Sequence, residues 1–154
     1  MVDIVDVVTR SRMMASIRAE GTKPEMTVRR FLHGHGFRFR LHRKDLPGRP
    51  DIVLPKYNLV VFVHGCFWHR HVNCFYASVP KTRKEFWEDK LERNVARDMS
   101  NVKLLLSLGW RVLVVWECGL RDLQGELILV LPFIKSDYLF LEWPEFAHRT
   151  KPLV

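Results

Sequence analysis

Apolar residues recur at Val28, Phe31 and Leu32 within TKPEMTVRRFLHGHG (22–36), the three- and four-residue spacing of a helix face. Thr22 and Glu25 open that stretch as a capping box, and Gly34 or Gly36 closes it. FRFRL (37–41) alternates apolar and cationic positions, as a half-exposed strand does. After the LPGRP turn, DIVLP (51–55) and NLVVFVHG (58–65) predict two adjacent strands joined by a short turn at Lys56-Tyr57. The second is apolar on both faces and therefore central.

Pro80 precedes a long helix predicted over about 82–108, with Phe86, Leu91, Val95, Val102 and Leu105 on its buried side and Gly109 as the stop. RVLVVWEC (111–118) is another strand apolar on both faces. ELILVLPFI (126–134) fits helix or strand, and the aromatic tail YLFLEWPEFAHRTKPLV has no assignable element. TRSRMMASIRAE (9–20) reads as a basic arm or a short helix. The order α, β, β, β, α, β predicts an α/β sandwich, helices flanking a central mixed sheet.

At 154 residues the chain is expected to be one domain with a core that needs no disulfide staple. Its formal net charge of +8 favours an anionic partner, nucleic acid ahead of a membrane surface. The start, MVDIVDVVTRSR, is not a signal peptide, because Asp3 and Asp6 interrupt the apolar residues and no cationic segment precedes them. The longest apolar runs, such as LVVFV, fall far short of the about 18–20 residues of a membrane span. A cytoplasmic protein with no membrane segment is expected. Its three cysteines do not form a secreted disulfide framework, and in a reducing compartment metal binding or burial explains them better.

The chemistry concentrates in VHGCFWHRHVNC (63–74), which holds three histidines and two cysteines. Cys66-x4-His71-x2-Cys74, joined by Cys118 at the end of a distant strand, makes a Cys3His set suited to structural zinc. Such an ion would tie the 65–80 loop to strand 111–118. The alternative is that the cysteines are small buried hydrophobes. This division leaves His64 and His69 free to move protons near neutral pH, or to be ordinary polar residues. Asp51, where a strand meets solvent, fits a Mg²⁺ ligand, although by itself a turn-closing aspartate after Gly-Arg-Pro is the better reading. Glu25 is first of all a capping residue.

LPGRPDIVLPKYNLVVFVHGCFWHRHVNC, then VPKTRKEFWEDKLERNVARD and LGWRVLVVWEC, closely resemble the very-short-patch-repair (Vsr) DNA mismatch endonucleases, over about residues 8 to 120. The resemblance implies a restriction-endonuclease-like α/β fold as a single nuclease domain over 1–154. Residues 1–20 would be an N-terminal DNA-contacting arm and 121–154 a divergent C-terminal tail. It implies a Mg²⁺-dependent nick 5′ of the thymine in a T·G mismatch, which arises when 5-methylcytosine deaminates. The expected partner is double-stranded DNA, and the expected state a monomer. On the family pattern Zn²⁺ falls on Cys66, His71, Cys74 and Cys118. Asp51 matches the magnesium-binding aspartate and His69 the essential histidine. His64 and Glu25 would support the hydrated metal, with Asn94 contributing to the same site.

Two positions depart from the pattern. The family usually has threonine where this chain has Val63, whose backbone carbonyl would be a metal ligand. A carbonyl survives the change of side chain. The His71-to-Cys74 spacing is one residue longer than in the family. Phe67, Trp68 and Trp87 match aromatic residues that insert into DNA beside the mismatch, and Met14 matches a residue inserted from the other side. Unstacking costs less at a mispair, so such wedges select deformable sites. Arg10, Arg12, Lys44 and Arg49 are expected on phosphates. Two other readings compete: a restriction-type nickase acting on matched DNA, and a zinc-stabilised DNA-binding module without catalysis.

Overall fold

The computed structural model describes residues 21–147 and 149–151. Arg10, Arg12 and Met14, with the rest of the N-terminal arm, lie outside the described residues.

Helix α1 spans Lys23–Gly34, opened by Thr22, whose hydroxyl accepts from the Glu25 amide at 3.4 Å. Glu25 reaches back to the Gly21 amide at 3.2 Å, so the predicted capping interaction forms one residue further out. Short β1 (Arg40–Leu41) and β2 (Ile52–Leu54) lead into β3 (Leu59–His64). Helix α2 (Lys84–Ser107) then crosses to β4 (Arg111–Trp116). Helix α3 (Glu117–Asp122), a 3-10 turn over Gln124–Leu129 and helix α4 (Val130–Ile134) lead to β5 (Phe140–Trp143).

The five strands lie in the order β1-β2-β3-β4-β5. The β1/β2 and β2/β3 pairs are antiparallel, and β3/β4 and β4/β5 are parallel. This is a mixed sheet with helices on both faces, an α/β fold. Both central strands are almost wholly buried, as their double-faced apolar runs require. Side-chain alternation along β3 sends Leu59 and Val61 toward the α1 and α4 core, and Val60, Phe62 and His64 toward α2 and the 65–80 loop.

Three expectations need correction, and one open segment is decided. FRFRL forms a ladder only at Arg40–Leu41, because its partner β2 is three residues long and ends where Pro55 opens a 3-10 turn. Strand β4 stops at Trp116, opposite the last residue of β3, so Cys118 sits in the first turn of α3 and not on the strand. On α2 the buried stripe includes Trp87, Leu91 and Leu105, and Phe86, one helical step round, is 41% exposed. Residues 126–134 resolve into the 3-10 turn and α4, and the tail supplies edge strand β5. Arg111 locks this C-terminal part down. Its guanidinium donates to the carbonyls of Tyr57, Phe133, Ile134 and Tyr138. Among the described residues, no helix is long and apolar enough to cross a membrane.

Candidate active site

Beyond Gly65 the chain leaves the sheet and folds over the α2 face. Cys66, His71, Cys74 and Cys118 are all buried there, and one ligand atom from each lies within 4.8 Å of the others. His71 turns Nδ1 toward the sulphurs, 3.3 Å from Cys118 Sγ and 3.8 Å from Cys66 Sγ. Hydrogen bonds from Cys66 and His71 push the Cys118 thiol down to about 5, while the same contact pushes Cys66 up. Three thiols and one imidazole in a dry, four-cornered cluster fit a closed metal site. The two-residue spacing between His71 and Cys74 lets both side chains reach the cluster. Asn73 takes a left-handed backbone (φ 57°), and the Cys74 amide bonds back to the His71 carbonyl at 3.2 Å. The C-terminal segment closes over this loop through a bridge between Cys74 and Thr150.

The two remaining histidines of the loop stand on the other side. His64 closes β3 and is 7% exposed, and His69 stacks on it with ring centroids 3.8 Å apart. Burial, then the neighbouring His69, holds His64 well below the ordinary histidine range, so it is neutral. His69 Nδ1 meets Asp98 Oδ2 at 2.6 Å, an ion pair or strong hydrogen bond from mid-α2. With Nδ1–H donated to the carboxylate, neutral His69 keeps Nε2 as an acceptor.

Both histidines line a cleft of about 670 Å³ together with Asp51, Val63, His42 and Asp98. Asp51 Oδ2 accepts from the Val63 amide at 2.7 Å. Glu25, 2% exposed, pairs with Arg29 and with His42 Nε2 at 2.9 Å. Ligand atoms of Glu25, His42 and Asp51 lie within 4.8 Å of one another. Burial, opposed by the Val63 amide and reinforced by Glu25, pushes Asp51 up to about 6. Two carboxylates held this close in a partly dry cleft fit a cation with oxygen preference, which would relieve their repulsion.

The structure thus brings Asp51, His64, His69 and Val63 to one cleft, with Glu25 buried beside Asp51 and His42. Asn94 is elsewhere employed: its amide donates to the Trp68 carbonyl at 3.1 Å and it accepts from Arg97, so it holds the aromatic loop and not the carboxylates. Phe67 and Trp68 are partly exposed, with Phe67 edge-on to Trp68 at 5.0 Å. Trp87 is 7% exposed and packs against both rings, so the three aromatics form one cluster. Its helical phase points it at the loop, and Phe86 is the outward member of the pair. Lys90 lies 5.5 Å from the Trp68 ring and 5.7 Å from Trp87. His42 and Asp98 were not identified from sequence. Asp98 lies on the helix face that carries Asn94 and Leu91, at i+4 and i+7, a phase that could have flagged it.

A basic chain with such a cleft has the features of a hydrolase acting on a polyanion. The profile of the family described as DNA mismatch endonuclease Vsr matches residues 2–75. The type II nicking enzyme V.XorIIP of Xanthomonas oryzae pv. oryzae is 51% identical over 123 residues, 80% of this chain and 90% of that protein. The DNA mismatch endonuclease Vsr of Escherichia coli is 48% identical over 121 residues, covering 79% and 77%. The type II nicking enzyme V.NmeAIP of Neisseria meningitidis is 46% identical over 122 residues, covering 79% and 86%. The protein is a DNA endonuclease. The chain belongs to the Vsr DNA mismatch endonuclease family, and the reading as a binding module without catalysis falls.

Proposed function

We propose that this endonuclease nicks DNA on the 5′ side of the thymine in a T·G mismatch, with Mg²⁺ as its catalytic ion and Zn²⁺ as its structural one. The cleft that joins Asp51 to the His64–His69 stack carries this reading. Asp51 and the backbone carbonyl of Val63 would hold Mg²⁺, and Cys66, His71, Cys74 and Cys118 would hold Zn²⁺. When bound, Mg²⁺ supplies charge stabilisation at the scissile phosphate and the leaving 3′ oxygen. His69, its Nδ1 fixed by Asp98, accepts the proton of the attacking water at Nε2. Neutral His64 and the Glu25 carboxylate would orient water at the ion held by Asp51. The donors differ from a lysine-based nuclease site, but the mixed sheet supports assignment to the restriction-endonuclease-like folds. The enzyme is expected to act in the cytoplasm, as a monomer.

Mismatch selection falls to Phe67 and Trp68, which stand on the metal-clamped loop with Trp87 as their floor. Inserted beside a mispair, they unstack a step already weakened. Met14, outside the described residues, would enter from the opposite side.

Purified zinc-loaded protein, with and without Mg²⁺, is to be tested on T·G duplexes in several sequence contexts and on their matched counterparts. Mg²⁺-dependent nicking confined to T·G duplexes is the expected result. Equal nicking of matched duplexes would replace it with the second reading, a sequence-specific nickase, which the nicking-enzyme names of two relatives favour. Trp68→Ala should lower nicking of the mismatch, and unchanged binding and nicking would remove the wedge role.

A further inference from the structure

We infer that His42 is a positioning residue for the metal site, holding Glu25 turned toward Asp51; this rests on the magnesium reading given above. Glu25 is nearly fully buried, so water does little to fix its carboxylate. Its Oε2 is occupied by the Gly21 amide, just before α1, and by Arg29, one turn further along the helix. Its Oε1 meets His42 Nε2 at 2.9 Å. His42 is tied to the other carboxylate as well, because its amide donates to the Asp51 carbonyl at 3.2 Å. One residue therefore fixes the separation between α1 and the start of β2, the two elements that bring the carboxylates together.

The backbone agrees with a specific task. His42 has φ 47°, a left-handed conformation uncommon for a residue with a side chain. Such outliers persist only where the surroundings enforce them, and they cluster at functional sites. Replacing His42 by a residue with no donor leaves the Glu25 carboxylate beside Asp51 without that partner, and like charges repel. Glu25 would then stay with Arg29 and turn away from Asp51. Direct ligation by His42 is the poorer role, because imidazole suits transition ions and Mg²⁺ takes oxygen donors. His42 therefore acts through Glu25.

The test uses Mn²⁺, an oxygen-preferring stand-in, titrated into the zinc-loaded full chain with a nicked product duplex and followed by electron paramagnetic resonance. His42→Ala should weaken Mn²⁺ binding at least about tenfold, whereas His42→Gln, whose amide donates to the same oxygen, should stay within about threefold of wild type. In a Glu25→Gln background His42→Ala should add no comparable weakening. Wild-type Mn²⁺ affinity in His42→Ala, or the same loss with and without Glu25, overturns the inference. If His42→Ala fails to fold, His42→Asn, whose amide is too short for the same contact, is read in its place. Asp51→Asn separates the two levels. Wild-type Mn²⁺ binding in that variant overturns the magnesium reading itself, while its loss alongside intact His42→Ala binding overturns only the role of His42.

Discussion

The imidazoles of His64 and His69 lie 3.8 Å apart with their planes within 4° of parallel, one buried and neutral, the other bonded to Asp98. Two like side chains five residues apart thus have different surroundings, set by what each packs against. His64 also meets Trp116 edge-on at 5.2 Å, which fixes its ring from the β4 side. Removing the proton acceptor should cost far more than removing the orienting ring. His69→Ala is expected to lower the nicking rate by about 10²–10⁴-fold at saturating Mg²⁺. His64→Ala should fall less, and neither should lose zinc. Single-turnover nicking with metal analysis of the same preparations checks both statements.

Asp98 should matter through the tautomer of His69 alone. Asp98→Asn keeps the size of the side chain but can no longer fix the Nδ1–H form. Nicking is expected to fall at least about tenfold with little change in DNA affinity. A nitrogen-15 spectrum of His69 should show loss of the single tautomer. An unchanged tautomer with an unchanged rate would remove the role.

Asp51 makes a stability prediction with a definite sign. Its carboxyl titrates near 6 in the folded protein, above the usual aspartate value. Between the unfolded and folded values the native state holds a proton that the unfolded chain has lost. In metal-free protein this group's contribution is therefore most favourable at acid pH and is lost as pH rises toward and past 6. The size is on the order of 1–3 kcal/mol. Asp51→Asn should consequently raise the melting temperature of the metal-free protein at pH 8 while abolishing nicking. Thermal melts at pH 5 and pH 8 read it directly: the gain should be smaller at the lower pH.

The Cys3His cluster should behave as a structural element. About one zinc per chain is expected, and strong chelation should loosen the 65–80 loop and the bridge from Cys74 to Thr150. Limited proteolysis should then cut within that loop, with zinc protecting. Cys74→Ser should lose both the ion and the protection. Because the loop carries His69 and Trp68, nicking should fail together with the metal.

Much of the frame was legible from the chain. Double-faced apolar runs marked β3 and β4 as central, the capping pair Thr22 and Glu25 marked the start of α1, and spacing divided one histidine for the thiols from two for the cleft. These are local signals, carried by periodicity and by residue types that admit few environments. Four things were decided only in the fold. Trp87 and Phe86 are neighbours in sequence, and only the phase of α2 against the loop settled which ring is buried. Asn94 could have served the carboxylates, but helix α2 aims it at the Trp68 carbonyl. His42 and Asp98 carried no motif, and they acquired meaning because distant segments brought them against Glu25 and His69. Cys118 left its strand for the same kind of reason, since β3 ended and took the ladder with it. Ligand type and helix phase are written along the chain. Which polar groups end up facing each other across a cleft depends on the packing of whole elements, and that is a property of the sheet and not of any one stretch.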